Sequence, residues 1–426
     1  MRLLPSSPPP GPFRREWWRS PLRGPWLASV LGSALLPLLF ACTVTGFVSR
    51  AAYSPDAGAN DPIPDGGLGF DLYAFDWPTA PAWLFAAVQG VHVVTGIAAI
   101  PILLAKLWAV VPKLFEWPPL RSIAHALERL TLALLVGSSL FVFLTGVLNI
   151  QVYYPWAFSF VPAHYYGAFI FVSSLVLHVA LKLGTVRRAF REHGVLAPLR
   201  EGIETTRAHP ADEHSTAPVS PAAPTISRRG LLATVGAGSL ALLTATAGQS
   251  IGGPFRSLAL FAPRGTGADR GGANGFPINK TAAARGITAE ETGAGWRLEL
   301  EGARRLALSR SDLLALPQHT EELPIACVEG WTTTQTWSGV RIADLARLAG
   351  ASDGEVVVES LQRAGAFRSA SLTAGQVADP RSLLALRVNG EDLSLDHGFP
   401  ARIIAPALPG VLCTKWVGRM MFGERA

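Results

Sequence analysis

The stretch Ile325-Ala326-Cys327-Val328-Glu329-Gly330-Trp331 sets a single cysteine among apolar neighbours, with a carboxylate two residues on and a tryptophan beyond a glycine. A thiolate is a soft anionic ligand suited to a soft metal centre, and it is also a nucleophile. Taken alone, the residue is better read as a small buried hydrophobe, because free cysteine ranks among the most buried residue types.

Its surroundings change that balance. Trp337-Ser338-Gly339-Val340, His397-Gly398-Phe399-Pro400-Ala401-Arg402, Gly410 and Lys415-Trp416 follow in order. With Cys-Val-Glu-Gly-Trp, these blocks resemble the molybdopterin-binding domain of the sulfite oxidase family over about Phe276 to Phe422. The cysteine block is most similar to the branch holding the periplasmic methionine-sulfoxide reductase catalytic subunit.

The resemblance implies roles. Cys327 matches the thiolate ligand of molybdenum, and His397 and Arg402 match positions that hold the pterin and its phosphate. Arginine suits that task because its planar fork grips an oxyanion at two points. Cys413-Thr414-Lys415 matches a segment whose backbone and lysine contact the phosphate end, and Ser360 and Asn279 match pterin contacts. Glu329 and Arg363 could face the metal as proton donor and oxyanion partner, or form salt bridges elsewhere. Two departures from sulfite oxidases stand out. The chain ends soon after Lys415-Trp416, without a further dimerisation domain, and Trp331 with a run of threonines replaces the arginine-rich neighbourhood after the cysteine.

These residues must be positioned by a chain of 426 residues, enough for two or three domains. Hydrophobic residues make up 49% and charged ones 16%, with a mean hydropathy of +0.29, a balance suited to a protein partly dissolved in lipid. Leu27–Val48 carries no charge and makes about 33 Å of helix, enough to span. Ala82–Ala105, Leu130–Ile150 and Tyr165–Leu181 are three more such runs, and Gly230 to about Gly248 is a weaker fifth.

The net charge is +6, but much of the excess is arginine flanking these runs, so nucleic acid is excluded as a partner. Arg14, Arg15, Arg19 and Arg23 precede the first run, while Asp56, Asp61, Asp65, Asp71 and Asp76 follow it against one Arg50. Lys106, Lys113 and Arg121 lie in the next connection, the stretch from Gln151 to Ala163 has no charge, and Arg187, Arg188, Arg191, Arg200 and Arg207 come after the fourth run. The alternation puts the N-terminus in the cytoplasm and four spans return the chain there. Of the three cysteines, Cys42 falls in an apolar run, and pairing Cys327 with Cys413 would consume the proposed ligand.

His92 and His178 lie inside the second and fourth runs, roughly 16 and 21 Å from the outer face. Imidazoles at similar depth on separate helices can clamp one haem iron from both faces, or hydrogen-bond between helices. The pattern is similar to b-type cytochromes of four-helix electron-transfer subunits, and the small Gly96 and Ser174 leave room for a macrocycle. His125 and His164 sit near span ends and are read as water-facing.

Ala211–Thr225, rich in Pro, Ala, Ser and Thr, reads as a flexible linker. Ser227-Arg228-Arg229-Gly230-Leu231-Leu232 resembles a twin-arginine export signal, and Thr244-Ala245-Thr246-Ala247 could be a cleavage site. The expected organisation is multidomain: a cytoplasmic segment (1–26), an all-α transmembrane helix bundle resembling a b-type cytochrome (27–186), a linker (187–226), a fifth span (227–250), and a C-terminal α+β sulfite oxidase-like molybdopterin-binding domain (276–426). There, Trp296–Leu300, Val356–Glu359 and Leu384–Val388 read as strands, and Arg310–Ala315 and Ile342–Leu348 as helices.

The expected function is a molybdenum-molybdopterin oxidoreductase, anchored in the membrane with its site outside the cytoplasm and exchanging electrons with the quinone pool through haem b. It would reduce sulfoxides or similar oxides and be exported by the twin-arginine translocation machinery. Oxidation of a small sulfur compound such as sulfite, a non-catalytic ligand-binding protein, and a hydrolase using Cys327 as nucleophile with His397 as base are the alternatives.

Overall fold

The computed structural model describes residues 7–53, 73, 75–118, 122–211, 216–265, 271–351, 354–363, 365 and 367–423. Asp56, Asp61, Asp65, Asp71 and Arg121 lie outside the described residues. Among the described residues, five long helices come first: α1 (Pro25–Ala51), α2 (Leu84–Val110), α3 (Ile123–Ile150), α4 (Phe160–His193) and α5 (Arg228–Ile251). Each is long and apolar enough to cross a membrane. A helix satisfies its backbone groups internally, which is what an apolar run in lipid requires.

The helices run past the apolar stretches that mark them, because charged residues at their ends find local partners. Arg129 of α3 donates to the carbonyls of Leu114 at 2.9 Å and Glu116 at 3.2 Å, and Glu128 pairs with Lys182 of α4 at 2.9 Å. α4 continues through its arginines to Gly194, whose φ of 70° ends the helix as its N–H caps the Phe190 carbonyl.

The chain divides into two compact units. The first holds Met1–Thr43, Thr95–Asn149 and Tyr154–Leu243. In it Leu35 and Leu39 of α1, Ala99 and Leu103 of α2, Val142 of α3 and Phe171 of α4 pack as one cluster. Apolar side chains such as Phe40, Leu130 and Leu181 remain exposed, an exterior that suits lipid. Within this unit the stretch read as a flexible linker makes contacts: Ala217 is buried and Ala222 donates to the Arg19 carbonyl at 2.8 Å, while 212–215 lie outside the described residues. Arg228 is also buried here, donating to Glu201 and to the carbonyls of Pro21 and Arg207.

The second unit holds Val44–Val94, Ile150–Tyr153 and Thr244–Ala426. Among the described residues, ten strands form two five-stranded sheets: β1 (Leu298–Glu301), β2 (Arg305–Leu308), β3 (His319–Ala326), β4 (Thr332–Arg341), β5 (Val356–Ser360), β6 (Ser369–Leu372), β7 (Leu383–Val388), β8 (Glu391–Asp392), β9 (Arg402–Ile404) and β10 (Val417–Phe422). One sheet runs β2-β1-β10-β5-β6, with β1 and β10 parallel. The other runs β3-β4-β7-β8, with β9 also on β7. Short helices α6 (Arg310–Ala315), α7 (Ile342–Leu348) and α8 (Ala374–Ala378) connect them, α6 and α8 each opened by a capping box.

β7 is buried at five of its six positions, as a strand covered on both faces should be. Trp337 of β4 is fully buried and donates to the Leu323 carbonyl at 3.2 Å, so its polar edge costs nothing inside the core. The core also takes in Ala51, Ala52, Tyr53, Trp77 and Phe85 from the ends of α1 and α2 and the segment before α2. Trp77 donates to the Ala407 carbonyl at 2.9 Å, and the Ala407 N–H donates to Ala82 at 3.0 Å. The β-rich unit therefore begins well before Phe276.

Candidate active site

The β3–β4 hairpin is in register from His319 against Gly339 to Ala326 against Thr332, which leaves 327–331 as its loop. Cys327 donates its N–H to the Trp331 carbonyl and Gly330 donates to the Cys327 carbonyl, each at 2.9 Å. Gly330 has φ of 88°, where a side chain would be strained. The loop thus holds the Cys327 side chain at the end of a buried strand.

The other residues arrive from separate stretches. β9 pairs with β7, opposing Arg402 to Ala385. The link into β10 is held by hydrogen bonds from Ile403 to the Thr414 carbonyl at 2.9 Å and from Val417 to Ala401 at 3.0 Å, which places Lys415 beside β9. Ser394 caps the turn that ends at His397. Asn279, Cys327, His397, Arg402 and Lys415 line one pocket, with Phe276, Ile325 and Trp331 among its walls.

Among the described residues, that pocket is lined by the guanidinium of Arg402 and the amine of Lys415 and by no Asp or Glu. Arg402 is fully buried; it donates to the His397 carbonyl at 3.1 Å and to Cys413 at 3.4 Å, and its Nε has no partner. Burial lowers its pKa to about 10. Lys415 donates to the carbonyls of Asp396, at 3.0 Å, and Lys280, and its ammonium lies 4.5 Å from the Trp416 ring centroid. Burial, and then the charge of Arg402, brings Lys415 down to about 6. His397 stacks on Phe276 at 3.7 Å and bonds the Asn274 carbonyl through Nε2 at 3.0 Å. Burial and Arg402 push it down to about 3, so the imidazole is neutral. Burial, reinforced by Glu329, raises the Cys327 thiol to about 12. A buried guanidinium such as that of Arg402 is costly without a counter-ion, and an anion in the pocket would relieve that cost and favour the charged form of Lys415.

The remaining expected residues lie around this pocket or away from it. Ser360 donates to the Lys415 carbonyl at 2.8 Å, and Thr414 and Cys413 are buried in the adjoining backbone. Glu329 is held by Arg264 and by Trp331 Nε1, the latter at 2.8 Å. Arg363 is exposed and pairs with Glu291 at 2.7 Å; it does not line the pocket. Cys42, Cys327 and Cys413 are all free thiols. Among the described residues, no three His, Cys, Asp or Glu come together as a metal site.

His92 is on α2 in the second unit and His178 on α4 in the first. A Cβ on Gly46 of α1 would stand 2.8 Å from the His92 ring, so the glycine lets that ring lie against α1. His164 shares a hydrogen bond with Thr145 at 3.1 Å.

Arg264 and Phe276 escaped the sequence reading. Arg264 bridges Glu329 and the Asn279 carbonyl, but nothing in its neighbourhood marks it. Phe276 sits in a quoted block, yet its stacking on His397, far along the chain, has no local signature.

The family described as oxidoreductase molybdopterin binding domain matches residues 285–426. The mitochondrial sulfite oxidase of Mus musculus is 32% identical over 29% of this chain and 28% of its own. "Uncharacterized oxidoreductase YuiH" of Bacillus subtilis is 32% identical, covering 30% of this chain and 65% of that one. "Putative protein-methionine-sulfoxide reductase subunit YedZ1" of Azospira oryzae is 30% identical over 30% of this chain and 49% of its own. The chain spans less than a third of the length of the animal sulfite oxidases it matches.

Proposed function

Residues 285–426 match the oxidoreductase molybdopterin binding domain, and on that premise we propose that the chain is a membrane-anchored molybdenum oxidoreductase of the sulfite oxidase family. The observation that carries the reading is the convergence of one thiol, one buried guanidinium, one buried lysine amine, one neutral imidazole and one amide on a single pocket lined, among the described residues, by no carboxylate. Cys327 supplies the protein's thiolate, and the metal brings its other ligands with its organic cofactor. Arg402, with its unpaired Nε, and Lys415 take the anionic phosphate end, and His397 and Asn279 border the pterin. Ser360, Cys413 and Thr414 shape the Lys415 backbone from behind. When bound, molybdenum supplies two-electron redox and oxygen-atom exchange. A coordinated thiol is deprotonated outright, which offsets the high pKa that burial gives Cys327.

Glu329 acts through Arg264 to hold the loop, and Arg363 reaches the metal only if its ion pair with Glu291 opens. Reduction of a sulfoxide or similar oxide is the preferred reaction, supported by the Cys-Val-Glu-Gly-Trp block and the YedZ1 relative. Oxidation of a small sulfur compound is the second reading, supported by the sulfite oxidase relatives. A thiol hydrolase is disfavoured: proton transfer from a thiol near 12 to an imidazole near 3 runs steeply uphill.

Haem b on His92 and His178 and electron exchange with the quinone pool complete the proposal, supported by imidazoles within apolar helices. The arginine alternation supports a site outside the cytoplasm. The twin-arginine machinery would engage Arg228 before the fold buries it against Glu201.

Purified full-length protein tests the scheme by molybdenum analysis beside a reduced-minus-oxidised optical spectrum. Metal-free material from a host that makes both groups removes the molybdenum reading, and the absence of haem bands removes the electron route.

A further inference from the structure

The last turn of α5 reaches the loop that carries Cys327. Gln249 and Ser250 are both buried, and each donates its side chain to a loop carbonyl: Gln249 Nε2 to Glu329 at 2.8 Å, Ser250 Oγ to Gly330 at 2.7 Å. The seat is close-fitting. A Cβ on Gly330 would lie 3.3 Å from Gln249 Nε2 and equally close to Val93 of α2. Beyond the helix the chain folds back on it: the Gly252 N–H donates to Gly248 at 3.0 Å, and a Cβ on Gly248 would run into the Phe255 carbonyl. The loop carbonyls are buried against these donors, and a buried carbonyl left without one is destabilising.

We propose that α5 stays covalently joined to the β-rich domain in the mature protein, and that Gln249 and Ser250 are positioning residues that set the backbone of 327–331 and so the direction of the Cys327 sulfur. Cleavage within Thr244–Ala247 would disrupt the turn that supplies the i−4 carbonyls for the amides of Gln249 and Ser250. Both residues would then sit on a fraying end, with nothing to aim their side chains. The inference concerns the loop and the helix, and it stands whether or not the pocket holds molybdenum.

The test uses the full chain purified from membranes. Intact mass should give one polypeptide of 45.2 kDa. A product beginning within or just after 244–247 overturns the proposal. Hydrogen–deuterium exchange then reads the loop. Gln249→Met and Ser250→Ala should each raise exchange of the 327–331 amides about tenfold, as loss of one buried hydrogen bond predicts. Exchange over β7, residues 383–388, should stay at the wild-type rate. Ser250→Thr keeps the hydroxyl and should keep wild-type exchange. Unchanged loop exchange in both donor-deleting variants, or an equal rise across β7, overturns the positioning role.

Discussion

Arg264 grips Glu329 at two points, with Nε 3.1 Å from Oε2 and Nη2 2.8 Å from Oε1. The carboxylate also accepts from Trp331 Nε1 and is almost fully buried, so the loop bearing Cys327 is locked by a charge pair. Removing the guanidinium strands that carboxylate. Arg264→Ala should destabilise the β-rich unit by about 2 kcal/mol, less than for a fully buried pair because the arginine is partly exposed. Arg264→Lys should recover only part of it, lacking the fork. Thermal unfolding of the three proteins decides this, and an unshifted midpoint for the alanine variant would dismiss the lock.

Arg402 should trade stability for ligand retention. Its guanidinium is fully buried with an unpaired Nε, so Arg402→Met should leave the cofactor-free protein as stable as wild type, or about 1 kcal/mol more so. Retained pterin should fall at least tenfold. Denaturant midpoints beside cofactor content after gel filtration check both arms; a clear loss of apoprotein stability would count against the anion-seat reading.

The depressed pKa of Lys415 carries a pH signature. Between about 6 and the usual ~10.5 of an exposed lysine, the unfolded chain holds a proton that the folded chain lacks, so apoprotein stability rises with pH across that window. Below about 6 both states hold it, so the pH dependence flattens while the penalty for the buried charge is present in full. From about 6.5 to 8.5, where His397 and the Cys327 thiol keep one protonation state, wild type should gain up to ~1.4 kcal/mol per pH unit relative to Lys415→Met. Parallel pH profiles for the two proteins would refute it.

The two cysteines of the β-rich unit should behave differently. Cys327→Ser should abolish molybdenum retention and turnover while leaving the optical haem bands. Cys413→Ser should retain metal, because the contact given to Arg402 there is a backbone carbonyl. Metal content normalised to protein separates them, and equal loss in both would transfer the ligand role away from Cys327.

Much of this architecture was legible because its determinants are local. Apolar runs in the sequence mark the five helices, with ends displaced where Arg129 and Lys182 find partners that no hydropathy window sees. Val356–Glu359 and Leu384–Val388 read as strands and became β5 and β7, since alternation or unbroken burial is written into consecutive residues. The pocket residues were legible through ordered motif blocks, not through any one of them. Long-range pairing was hidden: Arg264 on Glu329, Phe276 on His397, Gln249 on the loop, and Arg363 turned outward to Glu291. Each depends on where two distant segments meet, which periodicity does not encode.

The bonds from Trp77 to Ala407 and from Ala407 to Ala82 have a practical corollary. A soluble truncation starting near residue 285 would discard Tyr53, Trp77 and Phe85 along with both partners of Ala407. The excised fragment would bare an apolar flank that the intact chain never shows to water, and self-association would become its principal property in solution.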